Sequence, residues 1–532
     1  MTTADFALIG ASIRTMDPAR PAASAVAAKD GVIIAVGTDE EISRLCNPQT
    51  VVVDGAGMHV TPGWTDSHIH PLMGALRTRG VELRKCRTLD EMRETLAKER
   101  DRVGDDGWVI GWGSTYDPWI EHGLRGDLID EAVKGQPTFI NLFDGHTCIA
   151  NPAALALADI GGPRKFTEAA EIVCDANGRP TGELLEWAAF KLVEDALPPL
   201  TDDDRYQMFV NAMKRFSSYG LTALHGMDGK PEHFEILRKL ESRGELSCRV
   251  ILPMWLNPAM TRDDWKPLLA SRDEQGRRWR CGVSKFFIDG VIDTGTGWLI
   301  EPDTKGEGQV PFWPDPEYYK EAVATFAGAG FQCITHATGD MGVRCALDAY
   351  KAAPKQAGVH HRIEHIEVLH PTDLPRFAAE GVVASMQPLH LQWFRPSWAE
   401  RVGPERAKKA FPARSLLDSG AMMALGSDWM VATDDPREGM AWAQLRRHAG
   451  QPDFEVIAPE EALTPLQTRE GYTPGAAATV GEGHISGKIA AGFRCDLTAV
   501  DKDVVTCGGD ALKDLQFLLT VCDGEITHRA GA

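Results

Sequence analysis

Eight short apolar segments, separated by stretches of helical texture, constrain this chain more than any other feature. They fall at 61–68, 220–225, 248–254, 283–288, 332–336, 362–366, 382–387 and 422–427. Apolar strands alternating with helices build a parallel α/β sheet. Eight of them suit a closed (β/α)8 barrel, and an open sheet of nine or ten strands is the competing arrangement. A barrel gathers the C-terminal ends of its strands at one face, so residues far apart in sequence meet there.

Several of these segments end on a side chain that can bind a metal. In Thr61-Pro62-Gly63-Trp64-Thr65-Asp66-Ser67-His68-Ile69-His70-Pro71, His68 and His70 stand two apart. Residues at i and i+2 of an extended segment project to the same side, so two imidazoles can grip one cation. Pro62-Gly63 breaks the chain before the strand, and Pro71 ends it. Lys285 lies in Val283-Ser284-Lys285-Phe286-Phe287-Ile288-Asp289-Gly290. His336 closes Cys333-Ile334-Thr335-His336, His365 closes Arg362-Ile363-Glu364-His365, and Asp428 follows Leu425-Gly426-Ser427. Singly, each has an ordinary explanation: a core histidine, a snorkelling lysine, a helix cap. Jointly, four histidines, a lysine and an aspartate at strand ends suggest a metal centre. Nitrogen and carboxylate ligands suit catalytic zinc, or another divalent ion such as manganese or iron.

Composition narrows the function. The 532 residues carry a net charge of −20 and no run of Lys or Arg, so nucleic acid and anionic membrane are not expected partners. A small-molecule substrate is expected, and homo-oligomerisation is left open. No stretch reaches the ~18 apolar residues of a spanning helix. The first residues lack the basic and apolar regions of a signal peptide. The eleven cysteines are scattered and never spaced C-x-x-C. Both observations fit a cytoplasmic protein with reduced thiols. The sequence offers no G-x-S-x-G, no P-loop and no G-x-G-x-x-G in a credible context, so a serine hydrolase or a nucleotide enzyme has no support.

Both ends have β texture. Phe6-Ala7-Leu8-Ile9, Val32 to Val36 and Val51 to Val53 are β-rich, with turn signals at Asp30-Gly31 and Asp54-Gly55. Asp496 to Val500, Leu518 to Val521 and the turn Asp523-Gly524 repeat the pattern. We expect residues 1–60 and 475–532 to form one small discontinuous β-sandwich domain around a barrel at 61–474. A long excursion at about 71–215, with strands at Trp108 to Trp112 and Thr138 to Leu142, is expected to insert over the barrel mouth. His146, Asp289 and Trp112 are candidate substrate contacts, each with a structural role as the alternative. For His225, core packing is the expectation.

Taken together, these pieces resemble the amidohydrolase superfamily of metal-dependent hydrolases, and within it the YtcJ-like branch. Besides Pro62 to Pro71, the resemblance rests on Asp30-Gly31-Val32-Ile33-Ile34-Ala35-Val36-Gly37, Phe143-Asp144-Gly145-His146, Gly178 to Glu183, Lys285 to Gly290, Leu463-Thr464-Pro465 and Gly487-Lys488-Ile489. It covers nearly the whole chain. One departure is Gly492-Phe493-Arg494-Cys495-Asp496, where smaller residues are usual. The resemblance implies one or two divalent ions per chain, with zinc expected. His68 and His70 would bind one ion, and His336 and His365 the second. Lys285, carboxylated by carbon dioxide, would bridge them, while Asp428 would touch the metal and shuttle protons. It implies hydrolysis of a C–N bond (amide, formamide or carbamate-like) by a metal-activated hydroxide. A deaminase of the same fold is the alternative. Such deaminases pair the fifth-strand histidine with a glutamate three residues on, whereas Ala337-Thr338-Gly339 follows His336 here and Asp340 comes one position late. A catalytically silent barrel would not need all six residues.

Overall fold

The eight apolar segments lie side by side in the computed structural model, which describes residues 3–143, 147–166, 170–393 and 396–531. They form β1 (Trp64–Ile69), β2 (Leu221–Gly226), β3 (Arg249–Trp255), β4 (Trp279–Phe287), β5 (Gln332–Ala337), β6 (Arg362–His365), β7 (Val383–Met386) and β8 (Met423–Leu425). Each pairs in parallel with its neighbour in sequence, giving the order β8-β7-β6-β5-β4-β3-β2-β1. Helices such as Pro316–Gly328 and Asp340–Ala352 make the crossovers.

Backbone hydrogen bonds just past β8 bring the two edges of this sheet together. Asp428 N–H donates to the His68 carbonyl at 2.7 Å, and His70 N–H to the Trp429 carbonyl at 2.7 Å. Between them, Asp66 Oδ1 accepts the backbone N–H groups of Ser427 at 3.0 Å and His68 at 3.1 Å. Gly426 permits this approach: a Cβ there would lie 2.4 Å from His68 N. The sheet is thereby nearly closed into a (β/α)8 barrel, the α/β class expected from the sequence.

Two strand limits differ from expectation for physical reasons. β1 starts at Trp64 because His59–Pro62 belongs to another sheet, where it pairs antiparallel with Leu497–Val500. β4 starts at Trp279, earlier than the apolar run at Val283. Polar Arg280 and the positive φ of Gly282 (85°) disguise its first turn of pleat.

The two chain ends contribute to a pair of sheets. Val32–Gly37, Ala25–Lys29, Phe6–Ile9 and Val51–Asp54 form one of four strands. Glu525–Arg529, Phe517–Cys522, Leu497–Val500, His59–Pro62, Ser12–Arg14 and Ala22–Ala23 form one of six. Phe6, Leu8, Val26 and Ile33 from the first sheet pack with Val60, Leu497, Leu519 and Val521 from the second. These inward residues alternate with outward ones along each strand, as in a sandwich.

Residues Leu72–Asn211, with Met430–Ala432, form a separate compact unit. Its six-stranded sheet runs Glu171–Cys174, Pro180–Leu185, Thr147–Ala150, Thr138–Leu142, Val109–Ser114, Val81–Glu82. The helix Leu89–Val103 buries Met92 and Leu96 against Ile140 and Leu142, and a Thr88–Glu91 capping box fixes its start. Trp112 is buried in this unit's sheet beside a cavity lined by Arg77, Arg84, Asn141 and Phe143. His146 lies outside the described residues. No helix among the described residues is long and apolar enough to cross a membrane.

Candidate metal centre

The strand-end rule gathers His68, His70, Lys285, His336, His365 and Asp428 at the C-terminal end of the barrel sheet. The histidine rings touch in sequence. Ring centroids are 5.9 Å apart for His68 and His70, 4.8 Å for His68 and His365, and 4.4 Å for His336 and His365. Asp428 lies at the centre of the first group. Its Oδ1 is 3.3 Å from His68 Nε2 and 3.2 Å from His70 Nε2. His365 and Asp428, with His390, make a second set of nearby ligand atoms.

Hydrogen bonds fix which ring nitrogens face inward. His68 Nδ1 lies 2.7 Å from Glu364 Oε2, a contact that requires a proton on Nδ1 and leaves Nε2 as a lone pair. Glu364 is itself gripped by buried Arg362, whose Nε donates to Oε1 at 3.0 Å. Burial alone would raise the Glu364 carboxyl, but Arg362 and His68 hold it well below its usual range. His336 Nε2 lies 2.8 Å from the Gly290 carbonyl and donates to it, which leaves Nδ1 for the site. Burial keeps His336 neutral, down to about 3, and depresses His365 as well. Neutral imidazole is the form that binds metal.

Three features fit a divalent cation. His68 Nε2 and Asp428 Oδ1 face each other at 3.3 Å, both buried. Two ligands on a tetrahedral zinc with arms of about 2.0–2.1 Å stand roughly 3.3 Å apart. Lys285 Nζ and His365 Nδ1 are buried with no hydrogen-bond partner. Burial pulls the Lys285 ammonium down to about 8, against the opposing pull of Glu364 and Asp428. Asp428 stays well below the usual carboxylate range despite burial, because His68, His390 and His70 surround it.

Backbone strain sits at the same place. His365 and Asp428 have φ of 74° and 57°, values unusual for residues with a side chain. At β6 the turn of the backbone at His365 lets consecutive residues, Glu364 and His365, both face the centre.

Of the remaining candidates, Asp289 borders the site, its Oδ1 3.7 Å from His336 Nε2, but its hydrogen bonds are to the backbone. Asp289 accepts backbone N–H groups from Trp298, Thr338 and Gly339 at 2.8–3.0 Å, clasping the loop after β4 to the end of β5. His225 is buried, with Nδ1 3.1 Å from Arg362 Nη1. Sequence reasoning missed Glu364 and His390. The signal for His390 was present: it follows the β7 run in Met386-Gln387-Pro388-Leu389-His390, as Asp428 follows β8. For Glu364 there was no such signal, because strand alternation turns it away from His365.

The sequence and the fold have known counterparts. The amidohydrolase family model matches residues 51–528, and the chain belongs to that family of metal-dependent hydrolases. Among curated relatives, the N-substituted formamide deformylase of Arthrobacter pascens is 28% identical over 545 residues, covering 98% of each chain. The putative amidohydrolase YtcJ of Bacillus subtilis is 27% identical, again over 98% of each. An uncharacterized metal-dependent hydrolase from Pyrococcus horikoshii has the same fold, with a TM-score of 0.72 at 23% identity over 95% of this chain and 99% of that one.

Proposed function

We propose that the protein hydrolyses a C–N bond of an amide, formamide or carbamate-like small molecule, using one or two zinc ions and a carboxylated Lys285. The observation that carries this reading is Asp428 Oδ1 held 3.2–3.3 Å from the Nε2 atoms of both His68 and His70. His68, His70 and Asp428 would hold one ion, and His336, His365 and carboxylated Lys285 would complete a second site. When bound, the metal polarises the scissile carbonyl and lowers the pKa of water in the site. The protein's own groups do the rest. Glu364 locks the His68 tautomer. Asp428, ionised in this cationic surrounding, accepts the proton of the attacking water at its carboxylate and returns it to the leaving nitrogen. Lys285 is suited to carboxylation because its amine is buried, unpartnered and depressed toward neutrality, so the nucleophilic free base is accessible. The likeness to the formamide deformylase favours a formyl or acyl amide over an amidine, the bond a deaminase would cleave.

A panel of formamides, amides and carbamates should show hydrolysis that chelation abolishes and zinc restores. Lys285→Ala should lose most activity and most of one metal equivalent, with partial rescue by a short carboxylic acid. Full turnover in metal-free protein, or an unmodified Lys285 ammonium beside a fully occupied metal pair in a crystal structure, would refute this reading.

A further inference from the structure

The two oxygens of Asp428 have different partners. Oδ1 faces His68 and His70, while Oδ2 lies 3.2 Å from Nε2 of His390. His390 sits in the turn Pro388–Trp393 that follows β7, and its other nitrogen, Nδ1, is 3.6 Å from Glu367 Oε1. Glu367 Oε2 in turn accepts the indole N–H of Trp398 at 2.8 Å. Trp398 is stacked on Phe411, with centroids 5.7 Å apart and planes at 28°. All of these side chains are buried.

We propose that His390 is a positioning residue for Asp428, held in place by Glu367 and Trp398. The inference rests on the metal-dependent reading of this site. A carboxylate that must both face a cation and move a proton needs one oxygen committed and its plane fixed. His390 Nε2 stands 3.2 Å from Oδ2, on the opposite side of the carboxylate from the His68–His70 pair that Oδ1 faces. The His390 ring lies flat against His365, with centroids 5.2 Å apart and planes at 16°, so it cannot swing away without displacing that neighbour. Glu367 stands at the far side of the ring, 3.6 Å from Nδ1 and so within ion-pair reach of it, and the Trp398 N–H holds Glu367. Imidazole between two carboxylates is an orienting chain of the kind that supports metal ligands from one layer out.

The alternative is that His390 itself binds metal together with His365 and Asp428, since their ligand atoms lie within 4.8 Å of one another. Metal content separates the two. His390→Leu, loaded with zinc, should retain the wild-type number of ions while kcat falls about 10–100-fold at nearly constant KM, the loss typical of an orienting partner. His390→Gln can still offer an N–H to Oδ2 and should recover much of that loss. Trp398→Phe keeps the ring stacked on Phe411 and removes only the N–H to Glu367, so it should show a smaller fall in kcat with unchanged metal. A readout independent of turnover is the visible absorption of cobalt-substituted protein. It should shift in His390→Leu at equal cobalt content and return toward wild type in His390→Gln. Loss of an ion in His390→Leu would make His390 a ligand and overturn the proposal, as would an unaltered kcat and cobalt spectrum. If wild-type protein hydrolyses nothing in the panel, the substrate reading fails, while the cobalt spectra still decide the role of His390.

Discussion

In the proposed reaction Asp428 carries the most chemistry of any single residue. Its backbone is held at φ 57° by the N–H bond to the His68 carbonyl, and its carboxylate sits among three imidazoles. Asp428→Asn keeps the shape and removes the proposed base. General acid–base assistance is worth roughly 10²–10⁴-fold, so kcat should fall by that factor or more while at least one metal ion remains bound. Near-normal kcat, measured beside metal content, would mean that another group moves the proton. At this scale the sequence was informative where chemistry and strand position coincide. His68, His70, His336, His365 and Asp428 stand at or just past the ends of strand-like runs and Lys285 near the end of one, and the structure brings them to one end of the barrel. Glu364 was hidden because alternation along β6 would point it away from His365, and only the positive φ of His365 brings both inward. The role of Asp289 in clasping two loops through backbone N–H groups was hidden too, because main-chain partners leave no mark on side-chain pattern.

The elements that matter most are β1 and β8, because their contact supports His68, His70 and Asp428 at once. β8 is only three residues long, and much of the contact is made just beyond it by Gly426, Ser427 and Asp428. A methyl group at Gly426 would meet His68 N at 2.4 Å, His68 Cβ at 2.8 Å and Asp66 Oδ1 at 2.9 Å. Backbone at that distance cannot step aside cheaply. Gly426→Ala should therefore destabilise the protein by about 1–3 kcal/mol, the usual cost of overpacking, and weaken zinc affinity. Gly161→Ala, where a Cβ meets nothing within 4 Å, is the control and should leave both unchanged. Urea titration and competitive zinc binding measure the two effects, and a Gly426→Ala protein as stable as wild type would show that the strands can part without cost. All eight barrel strands were visible at least in part, because each is a short buried segment between helical stretches, even where, as in Arg362–His365, it holds a single apolar residue. Four strands of the separate unit were not: Val81–Glu82 is only two residues long, and Pro180–Leu185 mixes Pro, Gly and Glu.

Across the molecule, ion pairs tie the barrel to the C-terminal segment, and the departing stretch Gly492 to Asp496 supplies one directly through Asp496 and supports a second through Arg494 and Glu482. Asp496 pairs with Arg249 of β3 at 2.8 Å, and Arg249 also meets Asp523. Arg494 meets Glu482, which accepts from Arg280 Nε of β4 at 2.8 Å. The larger residues in this turn thus have a structural use that a comparison of segment patterns does not reveal. Glu482 gives the arrangement a pH signature. Burial would raise its carboxyl, but Arg280 and Arg494 outweigh that and lower it from 4.5 to about 2. A carboxyl with a depressed folded-state pKa binds its proton more readily in the unfolded chain. Its contribution is complete above the unfolded value near 4.5 and is lost as pH falls from there toward 2. Glu482→Gln keeps a hydrogen-bond acceptor but no charge, leaving two arginines less compensated. It should be less stable than wild type by on the order of 2–3 kcal/mol at pH 7, with the gap narrowing as pH drops from about 5 to 3. Urea unfolding of both proteins across that range measures the gap. A constant difference between the two curves would mean that Glu482 titrates at an ordinary carboxyl value and that its arginine partners do not stabilise its charge.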